Sequence, residues 1–166
     1  MRRDYQRTVS GASPPGSQLL QDGSPGLAQN LRMSPSARIM LGVSLIVVPT
    51  IIYGGLTVLG IVSGGAYGTP APAGLSPLQQ TFYRAGHAHA GVLLMLSLIL
   101  QLVIDAASLG GLEWPARIGA PGAAVLVSAG FFMVAHAPAL RFVLYAGALL
   151  VAATTLVVGI GLLVAP

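Results

Sequence analysis

The stretch Ile39–Val62, IMLGVSLIVVPTIIYGGLTVLGIV, contains no charged residue and decides the class of this fold. A helix rises about 1.5 Å per residue, so about 20 residues cross the hydrocarbon core of a bilayer. This run is long enough to do so. Three more apolar runs follow, over 77–107, 115–135 and 139–164. The sequence therefore predicts an all-α integral membrane protein. Its fold is a four-transmembrane-helix up-down bundle over residues 38–166, with helices at about 39–62, 77–107, 115–135 and 139–164. Composition agrees: 7% of the residues are charged, against about a quarter in soluble domains.

The connections differ in kind. Residues 63–75 are rich in Gly, Pro and Ala and should be irregular. Ser76-Pro77 has the form of a helix N-cap followed by proline at the first helical position. Residues 108–114 join the second and third helices. Ala137-Pro138 makes a tight hairpin between the third and fourth. Residues 1–37, rich in Ser, Pro, Gly and Gln, read as a disordered cytoplasmic tail. Such a stretch lacks the apolar surface that offsets the entropy of ordering.

Orientation follows from arginine, since there is no lysine. Arg2, Arg3, Arg7, Arg32, Arg38 and Arg117 fall on one side, and Arg84 and Arg141 on the other. The positive-inside rule then sets both termini in the cytoplasm. All four acidic residues, Asp4, Asp22, Asp105 and Glu113, fall inside as well. The absence of lysine and the Ala/Gly/Val-rich helices suggest a bacterium, and so a multi-pass protein of the bacterial inner (plasma) membrane. The basic residues form no stripe interleaved with aromatics, which argues against a nucleic-acid partner. The lipid bilayer is the expected partner, with a larger membrane complex or a homo-oligomer beyond it.

All three histidines, His87, His89 and His136, fall near the outer edge. From the centres of the runs they lie roughly 15, 12 and 13 Å above the midplane. Arg84, Arg141, Tyr83 and Tyr145 share that level, and no carboxylate does. Successive helical residues turn by about 100°, so His87 and His89 point to opposite faces. Polar residues in a membrane helix usually face the bundle interior. His87, followed on its face by Gly91, Leu94, Leu98, Gln101 and Asp105, is the better interior residue. The face of His89, with Phe82, Leu93, Leu96 and Leu100, suits lipid or a partner helix. Matching interior stripes are Phe132, Ala129, Val125, Gly122 and Ile118 below His136, and Tyr145, Ala148, Ala152, Thr155 and Gly159 beyond Arg141. The first helix offers Thr50, Tyr53, Thr57, Gly60 and Gly64, with Pro49 as a kink. Small residues in these stripes permit close helix approach, or leave a slot beside His87 and His136.

Catalytic motifs are absent from the sequence. There is no cysteine, no HExxH, no facing carboxylate pair and no phosphate loop, so an enzyme is not the leading expectation. Asp105 and Gln101 could begin a proton path, but Asp105 near the cytoplasmic edge is expected to be solvated or paired with Arg117. Three readings of the histidine edge stand. His87 and His136 ligate a b-type haem between helices two and three, with Arg84 and Arg141 on its propionates and Tyr83 or Tyr145 adding a hydrogen bond. That site would serve electron transfer, haem handling or sensing. Alternatively His87, His136 and His89 bind copper or zinc. In the last reading there is no cofactor, and the chain is an accessory subunit of a larger membrane complex.

Overall fold

The computed structural model describes residues 33–69 and 72–166. Most of the expected tail therefore lies outside the described residues. Four long helices run α1 (Pro35–Ser63), α2 (Pro77–Ile104), α3 (Glu113–His136) and α4 (Arg141–Leu163), packed up and down. Each is long and apolar enough to cross a membrane, and the protein is a multi-pass membrane protein of four spans.

The helix starts are written locally. At α2, the Ser76 hydroxyl accepts the Gln79 N–H at 3.3 Å, and the Gln79 side chain accepts the Ser76 N–H at 2.9 Å. This capping box satisfies two donors that the first turn otherwise leaves free. α1 begins in the same way, with Ser34 accepting the Ala37 N–H at 3.1 Å and Pro35 in the first turn. It therefore starts four residues before the apolar run, and Ala37 is fully buried. α1 ends at Gly64, whose φ of 60° is the left-handed conformation that glycine adopts without a Cβ penalty. Pro49 and Pro121 lie inside continuous helices.

α3 is the central helix. It packs along α2 on one side and α4 on the other, whereas α1 rests mainly on α2. Two glycines set the α3–α4 approach. A Cβ on Gly130 would stand 2.7 Å from the backbone of Leu144, and one on Gly147 would stand 2.7 Å from the Val127 nitrogen. Only hydrogen fits at these crossings, so the two backbones nearly touch, as small residues allow in membrane helices. The Ser108 N–H donates to the Gly161 carbonyl at 2.9 Å and ties the α2–α3 turn to the end of α4.

These contacts correct the expected interior stripes. On α4 the buried residues are Gly147, Thr154, Val158 and Gly161, while Tyr145 is 63% exposed and Ala148 and Ala152 are exposed. On α3 the buried face holds Ala116, Ala120, Ala123, Val127 and Gly130, and Ile118 and Val125 are exposed. On α1 Ser44 and Ile61 face inward and Tyr53 faces out. Gly60 is buried as expected. The physical reason is common to all three helices. They are apolar nearly all round, so polarity does not mark the inner face. Steric fit at glycine and alanine does.

Candidate functional site

The histidine edge is built on the regular turn of α2. Tyr83 and His87 lie one turn apart on one face, and His89 lies on the other. The Tyr83 hydroxyl and His136 Nε2 form a hydrogen bond at 2.9 Å. The Tyr83 ring also meets Phe132 edge-on, with centroids 5.2 Å apart. On the other side, His89 Nδ1 bonds the Ala85 carbonyl at 2.8 Å, and its ring lies 4.7 Å from that of Phe131. Between these two contacts Gly86 sits against Phe131 and Phe132, where a Cβ would find the Phe132 ring at 3.0 Å. His136 and His89 thus both serve the α2–α3 junction. The face of His89, which the sequence offered to lipid or a partner helix, meets a helix: Leu93, Leu96 and Leu100 below it line a small cavity shared with α3 and α4.

His87 goes elsewhere. Its ring lies against α1, where a Cβ on Gly55 would be 3.1 Å from Nε2 and one on Gly54 would be 3.6 Å from Nδ1. It is half-buried, and among the described residues it makes no hydrogen bond. Arg84 and Arg141 are exposed and, among the described residues, pair with no carboxylate. Tyr145 projects outward from the bundle. The structure therefore joins Tyr83 to His136, sets His87 on the glycines of α1, and gives His87 and His136 different neighbours. Among the described residues no group of three or more His, Asp or Glu is arranged to hold a metal ion.

The opposite edge holds the densest polar cluster. The Arg117 side chain is fully buried. Its Nε donates to Glu113 at 2.9 Å, one terminal nitrogen donates to Gln101 Oε1 at 3.3 Å, and the other donates to Asp105 and to the Ser34 hydroxyl. Asp105 also accepts the Ser34 N–H at 3.0 Å and its hydroxyl at 2.8 Å. The expected Asp105–Arg117 pair is there, but it is one part of a clamp on three helices. Proline supplies a further link. Pro121 has no N–H to give the Arg117 carbonyl one turn back; Gln101 Nε2 donates to that carbonyl instead, at 2.8 Å. Gln101 is fully buried for this reason. Burial pushes the Asp105 carboxyl up, but the bonds from Ser34 and Arg117 outweigh it and hold the group below the ordinary carboxylate value.

Ser34 and Glu113 are not among the sequence-predicted site residues, although two sequence signals point to them. Ser34-Pro35 repeats the Ser76-Pro77 helix start, and Glu113 stands one turn before Arg117, the spacing of a helical ion pair.

No family model, curated protein or solved structure matches this chain.

Proposed function

We propose that this chain is a cofactor-free accessory subunit of a larger membrane complex, oriented with both termini in the cytoplasm of a bacterium. In this reading its histidine edge works as a latch between helices. One observation carries the reading: His136 and His89 each already have a partner at the α2–α3 junction, and His87 lies against α1, so no two imidazoles converge on one ligand. The clamp at the other edge has the same purpose. Together they fix α1, α2 and α3 at both membrane surfaces, which suits a subunit whose exposed faces meet other chains. The test is mild solubilisation of the full chain from its native membrane. Co-migration with larger membrane proteins is expected, together with a colourless preparation of the isolated chain.

The haem reading keeps one observation in its favour. Arg84 and Arg141 stand exposed and, among the described residues, without carboxylate partners at the level of His87 and His136, as propionates would require. Bis-histidine ligation would need Tyr83 to release His136, and His87 to turn from Gly54 and Gly55. A Soret band in the purified chain, lost in both His87→Ala and His136→Ala but kept in His89→Ala, would replace the accessory reading with this one.

A further inference from the structure

α1 is the least covered of the four spans. In its most apolar 18-residue window 11% is buried, against 22–39% in the other three. It rests mainly on α2, and its outward face carries Leu45, Pro49 and Tyr53, all exposed. These follow at four-residue spacing on one stripe. Membrane helices commonly cross in right-handed pairs along such a ridge.

Two polar groups on this stripe stand out. The first is the Tyr53 hydroxyl. Tyrosine belongs at membrane edges, where Tyr83 and Tyr145 lie. The centre of α1 (Pro35–Ser63) is Pro49, four residues before Tyr53. Tyr53 is therefore about 6 Å from the middle of the span, and half the hydrocarbon core is about 15 Å. Helical side chains lean toward the N-terminus, which here is toward the middle of the bilayer and away from the nearer edge. Tyr53 is 60% exposed, and among the described residues its hydroxyl makes no hydrogen bond. Thr50 and Thr57 beside it each donate to a carbonyl of α1. The second group is the Leu45 carbonyl, to which Pro49 has no N–H to give. At Pro121 the same gap is closed by the Gln101 side chain. Among the described residues no side chain donates to Leu45; the Thr50 hydroxyl goes to Val47 at 2.6 Å.

A bilayer core supplies no water to such groups, and alkyl chains neither donate nor accept. A tyrosine hydroxyl does both. A second copy inserted in the same sense, about a twofold axis along the membrane normal, sets its own Tyr53 at the same depth. The stripe is thus complementary to itself, as a symmetric pair requires. We propose that α1 pairs in parallel with α1 of a second copy along the stripe Leu45, Pro49 and Tyr53, with the two Tyr53 hydroxyls hydrogen-bonded to each other. The proposal is independent of the accessory reading and of what the histidine edge holds, since its test uses this chain alone.

The sequence has no cysteine, so single substitutions report contacts cleanly. The full chain is placed in phosphatidylethanolamine–phosphatidylglycerol vesicles and oxidised. Leu45→Cys and Leu56→Cys, both on the outward face of α1, are expected to give disulfide-linked pairs. Leu149→Cys, exposed on α4, should not. Association of the parent chain is read by energy transfer between N-terminally labelled copies as lipid is added. A neutral hydrogen bond amounts to about twofold to tenfold in an equilibrium constant, so Tyr53→Phe should weaken pairing by that factor and leave helix content unchanged. Equal linking through Leu149→Cys would reduce the pairing to chance collision and overturn the proposal. So would unchanged association of Tyr53→Phe, or energy transfer no greater than random mixing at every dilution. A photo-crosslinker at position 45 in the native membrane that captures a different chain, and not this one, would overturn it as well.

Discussion

Replacing Asp105 by alanine tests the polar clamp directly. The carboxylate accepts from the Ser34 N–H, the Ser34 hydroxyl and Arg117, so one substitution removes three bonds. A hydrogen bond to a charged group contributes about 1.5–3 kcal/mol, and breaking a fully buried ion pair costs about 3–5 kcal/mol. Two facts place this case at the lower end. The Asp105 side chain is 30% exposed, and Glu113 remains bonded to Arg117 at 2.9 Å. We expect Asp105→Ala to destabilise the fold by about 3 kcal/mol. Arg117→Met removes the buried charge itself, after which Asp105 can be solvated. The double variant should then fall short of the sum of the single losses by about 1.5 kcal/mol or more. The assay is reversible unfolding in mixed detergent micelles, followed by helical circular dichroism. Losses that add within about 0.5 kcal/mol would refute the coupling, and with it the account of why Arg117 is buried. The pH dependence has a definite sign. A carboxyl held below its ordinary value of 3.8 contributes its full stability above that pH and loses it as the pH falls through the lower folded value. Between pH 7 and pH 3 the parent should lose more stability than Asp105→Asn, with the difference confined to the region below about pH 4.

Other expectations are narrower. Gly130→Ala and Gly147→Ala should each destabilise by about 1–3 kcal/mol, because the new methyl meets backbone and not a flexible side-chain end. Gly159→Ala, with nothing within 4 Å of its Cβ position, should be neutral or stabilising by up to about 1 kcal/mol; comparable losses at all three sites in detergent unfolding would reject the close α3–α4 approach. Tyr83→Phe deletes the bond to His136 and should lower stability by about 1 kcal/mol, with His136→Ala adding little on top. Reporter fusions after Gly68 and at the C-terminus should give opposite compartments, the C-terminus being cytoplasmic; a cytoplasmic signal at Gly68 would reverse the orientation inferred from arginine.

The sequence by itself determined that there are four spans, because bilayer thickness converts directly into apolar run length and charges are too costly to hide there. It also determined where chain reversals fall, through Ser76-Pro77 and Ala137-Pro138, whose local backbone chemistry acts within a few residues. The Asp105–Arg117 pairing was legible as one of two outcomes, the other being a solvated carboxylate, and the structure decides for the pair. α1 begins at Pro35 and not at the first apolar residue, because hydropathy marks only the span, whereas Ser34 acts through a cap and the clamp. Only the tertiary structure decided which face of each helix is inside. In a soluble bundle, water would mark the outer face with polar residues, but here lipid and core are equally apolar. Tyr145 and Tyr53 could therefore be assigned inward from the sequence and yet lie outward, while Gly130 and Gly147 set the α3–α4 crossing by steric fit. The same fit turned His87 toward α1 and gave His136 to Tyr83. That division depends on which helices touch, and no spacing within one helix encodes it.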